Sequence, residues 1–283
     1  MMPLPREQHW KAEKPLEAVQ FNTLFASTVV DNVLSGQIYV DNLHDPTVFL
    51  IAHPYGMSLL FGRTDNAEFN NSLREYILDI GSARKGMEWL QVHPAEWKPV
   101  LEELLGADLI KKCGPAEQPA TATDDPGKVM EYTRVNFLFN KDRYAAFAGQ
   151  YSPPPESIVR TDAKLFLGIQ GQVVPKHFWK DMDHFLGEGI GFTLMAEGRA
   201  TSTAFCAFQR DNMLEIGVET ESQHRGKGYA VHVCKALIDY CAENGYEPIW
   251  SCRLENAGSF NLAQKLGFEP VLYVPYYQLV SAP

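Results

Sequence analysis

One short stretch limits what this chain can fold into more than any other: Gln223-His224-Arg225-Gly226-Lys227-Gly228-Tyr229-Ala230. Apolar residues alternate just before it, over 213–220, which predicts a half-buried strand. Just after it they recur at helical spacing, and Asn244-Gly245 marks the end of the predicted helix. The two glycines of the stretch therefore lie where a strand leads into the N-terminus of a long helix.

This position has a chemical consequence. The first N–H groups of a helix have no intrahelical partner and favour an anion, while glycines let it approach the backbone. Arg225 and Lys227 add positive charge, so the stretch is predicted to bind a pyrophosphate. It is not a P-loop, because Glu221 and Gly228 stand where that motif needs Gly and Ser or Thr. It is not a dinucleotide fingerprint either, because Val231 replaces the third glycine.

The stretch instead resembles the acyl-CoA loop of the GNAT acetyltransferase superfamily, Gln/Arg-x-x-Gly-x-Gly/Ala. Gln223, Gly226 and Gly228 fill its fixed positions. The runs Gly-Phe-Thr-Leu, Glu-Ile-Gly-Val-Glu-Thr and Trp-Ser-Cys are most similar to the subgroup called GNAT acetyltransferase 2.

Further hallmarks follow in the family's order over about residues 156–283. A predicted strand, turn and strand over 191–210 match the family's second and third strands. The apolar run 248–252 matches the fifth strand. Asn256 then opens a short helix that stops at Gly267-Phe268, as in the family.

The resemblance implies an α/β (α+β) fold with a mixed, mostly antiparallel sheet flanked by helices. It also implies acetyl-CoA as co-substrate, bound where the fourth and fifth strands part, and no metal. The residues that would bind it lie on the fourth strand, the glycine loop and the last helix: Val218, Thr220, Gln223, His224, Arg225, Gly226, Lys227, Gly228, Tyr229, Asn256 and Ser259. Alternatively, Arg225 and Lys227 are solvated surface charges and Asn256 caps its own helix.

The length of 283 residues suits about two domains. We predict a smaller mixed α/β N-terminal domain over 1–125, a linker and connecting strand over 126–155, and the GNAT domain over 156–283. Two interpretations of the N-terminal domain stay open. It is either a degenerate GNAT-like half or a mixed domain that braces the catalytic half.

Hydrophobic periodicity also predicts the individual elements. The predicted helices are 16–34, 66–80, 94–105 and 177–186. The predicted strands are 37–40, 48–52, 57–61 and 129–139, with a terminal strand pair over 271–280. Residues 114–128, rich in Pro, Ala, Thr and Asp, are predicted to form the linker.

Acetylation of an amine requires a base that accepts a proton. Glu215 and Glu219 share one face of the predicted fourth strand, opposite Ile216 and Val218. Glu219 is the first candidate for the base and Glu215 the second, although either could be a solvated charge or a contact to a cationic substrate. The resemblance implies that the N–H near Val218 stabilises the oxyanion, a contribution of about 3–4 kcal/mol.

A general acid for the departing thiolate is harder to find. Many family members carry a Tyr seven residues after the Asn, where this chain has Ala263. Tyr273, Tyr276 and Tyr277 are possible replacements, although aromatic residues in a terminal strand are more often packing residues. The thiolate could also leave unprotonated, since a free thiol has a pKa near about 8.5.

The five cysteines include no Cys-x-x-Cys pair, which indicates buried reduced thiols in a cytoplasmic protein. An acyl intermediate on Cys252 would need a partnered His, and the sequence pattern places none beside it. His224 and His232 lack a third ligand that would complete a metal set. We therefore expect direct transfer without a metal.

The net charge of −10 argues against nucleic acid and anionic membranes as partners and suits a cationic amine. The predicted function is transfer of an acetyl group from acetyl-CoA to a primary amine, of a small molecule, in a ternary complex. The alternatives are a catalytically silent acyl-CoA sensor or scaffold, and an acetyltransferase for protein lysines or N-termini. A monomer or a homodimer is expected.

Overall fold

The computed structural model describes residues 1–82, 84, 86–111 and 127–280, and the chain divides into two compact units. The first unit comprises Met1–Val135, Cys252–Asn256 and Leu272–Pro283, and the second comprises Asn136–Ser251 and Ala257–Val271. The first break between the units falls after Val135, and two C-terminal segments belong to the first unit. The domain boundaries at 125 and 155 stay predictions. Residues 114–126 of the linker predicted over 114–128 lie outside the described residues.

The first unit is a mixed α/β structure, as predicted. Its helices are α1 (Glu13–Leu16), α2 (Leu24–Val30), α3 (Ala67–Ile77) and α4 (Trp97–Leu105). Its strands are β1 (Met2–Pro3), β2 (Gln37–Val40), β3 (Val48–His53), β4 (Met57–Gly62), β5 (Glu88–His93), β6 (Leu109–Lys111) and β7 (Val129–Phe139), whose last residues belong to the second unit.

The predicted strands of this unit are confirmed, but the single helix over 16–34 is wrong. The structure has α1 and α2 instead, with residues 17–23 between them. Asn22 explains the break, because its side-chain oxygen accepts the N–H of Leu24 at 3.1 Å. Such a side-chain turn gives the backbone an alternative to a continuous helix and starts a new one.

Strands β1 to β4 pair in antiparallel fashion with their neighbours, whereas β4 and β5 are parallel. A parallel pair needs a crossover connection, which α3 provides. Phe69 and Leu73 of α3 and Trp97 and Leu101 of α4 are all buried against this sheet. Each such side chain contributes about 1.5–3 kcal/mol by leaving water.

The second unit also combines helices with strands. Its helices are α5 (Lys141–Ala148), α6 (Ala163–Gly168), α7 (Pro175–Phe178), α8 (Met182–Glu188), α9 (Tyr229–Asn244) and α10 (Ala257–Lys265). Its strands are β8 (Ser157–Arg160), β9 (Gly191–Ala196), β10 (Arg199–Arg210), β11 (Met213–Thr220), β12 (Glu247–Arg253), whose last two residues belong to the first unit, and the start of β13 (Phe268–Leu279).

Strands β8 to β11 form an antiparallel sheet and β12 joins β11 in parallel, after the crossover through α9. The mostly antiparallel sheet flanked by helices is therefore confirmed. The helix predicted over 177–186 is wrong, since Asp181 caps a separate helix by accepting the N–H of His184 at 2.8 Å. The predicted terminal strand pair is also wrong, because 268–279 is one continuous strand.

Helices pack on the strands around β11. Helix α9 packs on β9, β10 and β11 with Val233, Leu237 and Ile238 fully buried. Helix α7 packs on β10, where the ring of Phe178 lies 5.3 Å from that of Phe205. The first part of the strand that carries the predicted carboxylates is buried.

Candidate active site

The parallel pairing of β11 with β12 is short. Met213, Leu214 and Glu215 pair with Glu247, Pro248 and Ile249. Among the described residues the register stops there, although β11 continues to Thr220 and β12 also extends further. The other edge of β11 stays paired with β10 up to Thr220. Residues 216–220 therefore form a sheet edge whose backbone groups face an opening and can pair with an extended ligand.

The glycine loop follows this edge directly. After a short 3-10 helix over Ser222–His224, Gly226 has φ 80° and Gly228 has φ 83°. This left-handed region favours glycine. Gly228 is the N-cap of α9 and provides no side-chain cap. A Cβ on either glycine would meet nothing within 4 Å, so the backbone of the loop is open to an approaching anion.

Several side chains of the loop bind within the loop itself. Arg225 donates through Nε to the carbonyl of Thr220 at 3.2 Å and through Nη2 to Glu219 Oε1 at 3.1 Å. Gln223 Nε2 donates to Glu221 Oε2 at 3.1 Å. These side chains shape the turn, so the open backbone is the main feature for a phosphate.

The remaining loop side chains, His224, Lys227 and Tyr229, lie close to charged or aromatic neighbours. His224 Nδ1 is 3.3 Å from Glu221 Oε2. Tyr229 donates its hydroxyl to Glu156 at 2.9 Å, and this hydrogen bond raises the pKa of Tyr229. The ammonium group of Lys227 lies 6.0 Å from the centre of the Tyr229 ring. The loop thus has a cation beside the open helix N-terminus.

Glu219 is firmly held by its surroundings. Its Oε2 accepts the N–H groups of Gln172 and Val173, each at 3.1 Å, and its Oε1 accepts the bond from Arg225. A Cβ at Gly171 would lie only 2.6 Å from Glu219 Cγ, so the turn packs directly on this side chain. Three charge-accepting hydrogen bonds therefore fix the position of this carboxylate. The sequence pattern did not reveal these partners, which lie 46 and 47 residues away.

Glu215 lies where the two strands part, in the last pair of their register. It is 6% exposed, and its Oε1 accepts the hydroxyl of Ser251 on β12 at 3.0 Å. Phe205 covers the neighbouring position on the same face, since a Cβ at Gly217 would be 2.7 Å from its ring. Ser251 is a site residue that sequence reasoning missed, because only the strand pairing brings it to Glu215.

The predicted residues of the last helix lie at its beginning. Ser259 Oγ accepts the indole N–H of Trp250 at 3.2 Å. Asn256 directly precedes α10, and its N–H donates to the carbonyl of Arg253 at 3.0 Å. Ala263 is fully buried in the same helix, so the position at which the family often has Tyr faces the core here.

The alternative acids are not equivalent. Tyr276 and Tyr277 are buried at 4% and 0% exposure, whereas Tyr273 is half exposed. Burial also raises the pKa of the Tyr277 hydroxyl above its ordinary value. All three belong to the first unit.

Cys252 and His232, which figure in the two disfavoured chemistries, have different surroundings in the structure. Burial holds Cys252 at 7% exposure. His232 Nδ1 and the hydroxyl of Tyr151 form a hydrogen bond at 2.8 Å. Within the described ranges, no group of three or more His, Cys, Asp or Glu side chains could hold a metal ion.

The same part of the chain also contains no helix that is long and apolar enough to cross a membrane.

A mixed sheet whose two parallel central strands part beside a glycine-capped helix N-terminus defines the class of GNAT-fold proteins. Residues 14–277 match the family model described as GNAT acetyltransferase, so the chain belongs to this family. The resemblance noted in the sequence is therefore confirmed, and the chain is assigned to the acetyltransferases.

Similar individual proteins support this family assignment. The chain is 24% identical over 264 residues to the uncharacterized N-acetyltransferase YdfB of Bacillus subtilis, covering 89% of each protein. A GCN5-related N-acetyltransferase-like protein from Streptococcus suis has a similar structure, with a TM-score of 0.69 and 20% identity, over 97% of this chain and 99% of that one.

A third similarity bears on the two units. A tandem GNAT protein from the clavulanic acid biosynthesis pathway matches 100% of this chain and 98% of its own, with a TM-score of 0.59 and 10% identity. The similarity at this identity concerns the fold alone. It fits a chain whose two compact units are both mixed α/β structures.

Proposed function

We propose that this protein is an acetyl-CoA-dependent N-acetyltransferase that transfers the acetyl group directly to a primary amine of a small molecule, in a ternary complex. One observation carries the proposal. The open edge of β11 ends at the loop where the N-terminus of α9 has only glycine as its cap. An extended arm followed by a pyrophosphate fits this combination of features.

The residues present suit acetyl-CoA as the donor, which supplies an activated acetyl group as a thioester. The N–H groups of His224–Tyr229 would bind the pyrophosphate, with Lys227 adding charge. The backbone of Val218 and Thr220 would pair with the pantetheine arm. The N–H near Val218 would donate to the developing oxyanion, and such a donor contributes about 3–4 kcal/mol. Asn256 and Ser259 would lie beside the same arm.

The two carboxylates differ in what they can do. Glu219 is held by three donors, which favours a role in fixing Arg225 and the 171–173 turn. Glu215 lies where the strands part and has the hydroxyl of Ser251 as its partner. We therefore propose Glu215 as the proton acceptor, acting through Ser251 or a water. Glu219, the first candidate from the sequence, would then be a positioning residue.

The acceptor is proposed to be a cationic small molecule, because the chain carries a net charge of −10. The buried free thiols of Cys206, Cys234, Cys241 and Cys252 suit a reducing compartment such as the cytoplasm. A second candidate function is an acyl-CoA sensor without catalysis. It is favoured by one observation, the buried Ala263 where the family often has Tyr.

Ligand binding and turnover separate these functions. A ligand at 100 times its Kd adds about 2.7 kcal/mol and should raise the melting temperature by about 5–10 °C. We expect this shift with acetyl-CoA and CoA but not with ATP or NAD. Release of free CoA with a panel of primary amines then tests catalysis. A shift in melting temperature without turnover of any amine or peptide favours the sensor. No shift with acetyl-CoA or with CoA overturns both functions.

A further inference from the structure

A pocket lies on one side of the glycine loop, within the second unit. Its volume is about 490 Å³, a size that suits a small ligand or part of a larger one. Its walls come from α5 and the residues after it, from the beginning of α9, and from the end of α10: Ala146, Phe147, Gln150, Tyr151, Ser152, Gly228, Val231, His232 and Lys265. None of the roles assigned so far uses this pocket.

The aromatic wall of the pocket is fixed by hydrogen bonds. The hydroxyl of Tyr151 and His232 Nδ1 are 2.8 Å apart, and the ammonium group of Lys235 lies 4.8 Å from the centre of the Tyr151 ring. Lys235 in turn pairs with Asp239 at 2.6 Å, and Asp239 also accepts the hydroxyl of Tyr144 at 2.6 Å. A wall fixed in this way loses little entropy when a flat ligand packs on it.

Gly228 connects the pocket to the proposed pyrophosphate site, since it both caps α9 and lines the pocket. The pantetheine arm of acyl-CoA would leave the pyrophosphate along β11. The other end of acyl-CoA must therefore leave in another direction, and Val231 and His232 in the first turn of α9 lead into the pocket. That other end is an adenosine with a phosphate on its 3′ oxygen.

The chemistry of the lining matches this group. Phe147, Tyr151 and His232 present aromatic surface, on which a purine can stack. Lys265 is the last residue of α10, is exposed, and adds a positive charge to the rim of the pocket. His232 and Lys265 both line the pocket, and burial lowers the pKa of His232.

We propose that this pocket receives the adenosine of acyl-CoA and that Lys265 binds its 3′-phosphate, which makes Lys265 a determinant of selectivity for CoA over 3′-dephospho-CoA. The proposal rests on the proposed function, because it requires that acyl-CoA is the ligand of the loop. The segment that supplies Phe147 and Tyr151 precedes the predicted GNAT domain. It thus contributes to donor binding rather than only connecting two parts of the chain.

Isothermal titration of the full chain with CoA and with 3′-dephospho-CoA tests the proposal without any turnover. We expect the unmodified protein to bind CoA about tenfold more tightly, the contribution of one hydrogen bond to a charged group. The Lys265→Gln variant should bind CoA about as weakly as 3′-dephospho-CoA, whose own affinity should not change. Lys164→Gln, at an exposed lysine of α6 in the same unit, is the matched control and should keep the preference.

A second pair of variants tests the aromatic wall. Tyr151→Ala should weaken CoA and 3′-dephospho-CoA alike by about tenfold, since it removes a stacking surface. Tyr151→Phe keeps the ring and should change both affinities less than threefold. Neither variant should alter the affinity for 4′-phosphopantetheine, which has no adenosine.

The outcomes are distinguishable from a failure of the proposed function. If neither CoA nor 3′-dephospho-CoA binds the unmodified protein, acyl-CoA is not the ligand and the proposed function fails. If both bind equally, or if Lys265→Gln keeps the preference for CoA, the assignment of Lys265 is wrong while the proposed function stands. Equal loss of CoA and 4′-phosphopantetheine binding in Tyr151→Ala would overturn the adenosine pocket.

Discussion

The two units each contain two parallel strands joined by a helix, and the two versions differ at the point that matters for binding. In the first unit, β4 and β5 pair over five residues, from Met57 with Trp89 to Phe61 with His93. In the second, β11 and β12 pair over three residues and then part. An uninterrupted ladder leaves no backbone groups for a ligand between the strands. Parting the strands sacrifices sheet hydrogen bonds and creates the opening.

The helix that follows shows the same contrast. Asn66 caps α3, because its side-chain oxygen accepts the N–H of Phe69 at 3.1 Å. Its amide group donates to Asp41 at 3.2 Å, which brings a carboxylate to the helix N-terminus. Gly228 at α9 has no side chain to do either. The first unit therefore has the crossover, but the Asn66 side chain caps its helix and the Asp41 carboxylate lies beside that cap. On this ground we propose that the first unit is a degenerate GNAT-like half that does not bind acyl-CoA.

The largest expected effect comes from one glycine in each unit. Gly226→Val should weaken CoA binding at least 100-fold, because the side chain would occupy the space of two charge-assisted hydrogen bonds to phosphate. A Cβ at Gly226 meets no atom within 4 Å, so the folding cost should be limited to its positive φ, about 1–2 kcal/mol. Titration with CoA and urea unfolding measure the two effects.

Gly62→Ala is the counterpart in the first unit. Gly62 has φ 102°, and a Cβ there would clash with the carbonyl oxygen of Thr47. We expect a loss of about 2–4 kcal/mol of unfolding free energy and an unchanged Kd for CoA at a temperature where the variant is folded. The comparison between the units would fail if Gly62→Ala weakened CoA binding as strongly as Gly226→Val.

The next effect concerns the third pair of each parallel ladder. There the first unit has Leu59, a buried core residue, and the second has Glu215. Glu215→Gln should lower kcat at least 100-fold, the usual contribution of a general base, and remove the acidic limb of the pH–rate profile. Glu219→Gln should lower kcat/KM only about tenfold and keep that limb, since one hydrogen bond to a charged donor is weakened.

Steady-state rates from pH 5 to 9 decide between the two carboxylates. If Glu219→Gln loses the acidic limb and Glu215→Gln keeps it, then Glu219 is the base, and its three donors do not prevent it from taking the proton.

How far the sequence predicts this site follows from the range of the interactions. Strand 213–220 and the helix to Asn244 were predictable, because alternation, helical period and a glycine C-cap are local signals; Gly245 indeed has φ 76°. The break between α7 and α8 has a local part, the Asp181 cap, and a tertiary part that the sequence does not show: the indole N–H of Trp179 donates to the carbonyl of Cys206, 27 residues away, at 2.7 Å. The length of the β11–β12 register and the partners of Glu219 likewise depend on contacts between residues far apart in the sequence.

A smaller effect is expected from the protonation of His53 in the first unit, and it should change only the unfolding free energy. His53 is buried, and burial lowers its pKa from 6.5 to about 3, while its Nδ1 accepts the N–H of Tyr55 at 3.1 Å. Below about pH 6.5 the unfolded chain binds a proton that the folded chain does not. The unfolding free energy should therefore fall by up to about 1.4 kcal/mol per pH unit between pH 6.5 and 3.

Urea unfolding at pH 7.5, 6.0 and 5.0 measures this slope, and His53→Gln serves as the reference without the titrating group. A slope as steep in His53→Gln as in the unmodified protein would assign the acid sensitivity to other groups.

The smallest expected effect tests whether the cap of α3 is only structural. Asn66→Ala removes the bond to the N–H of Phe69 and should cost about 1 kcal/mol of unfolding free energy. The exposed helix N-terminus should still not bind CoA, because α3 follows a strand with a complete ladder and the Asp41 carboxylate stays nearby. We therefore expect one CoA per chain by titration both before and after the change. A second binding event in Asn66→Ala would mean that a single side chain keeps the first unit closed to acyl-CoA. In that case capping, rather than the ladder, would be what separates the two units.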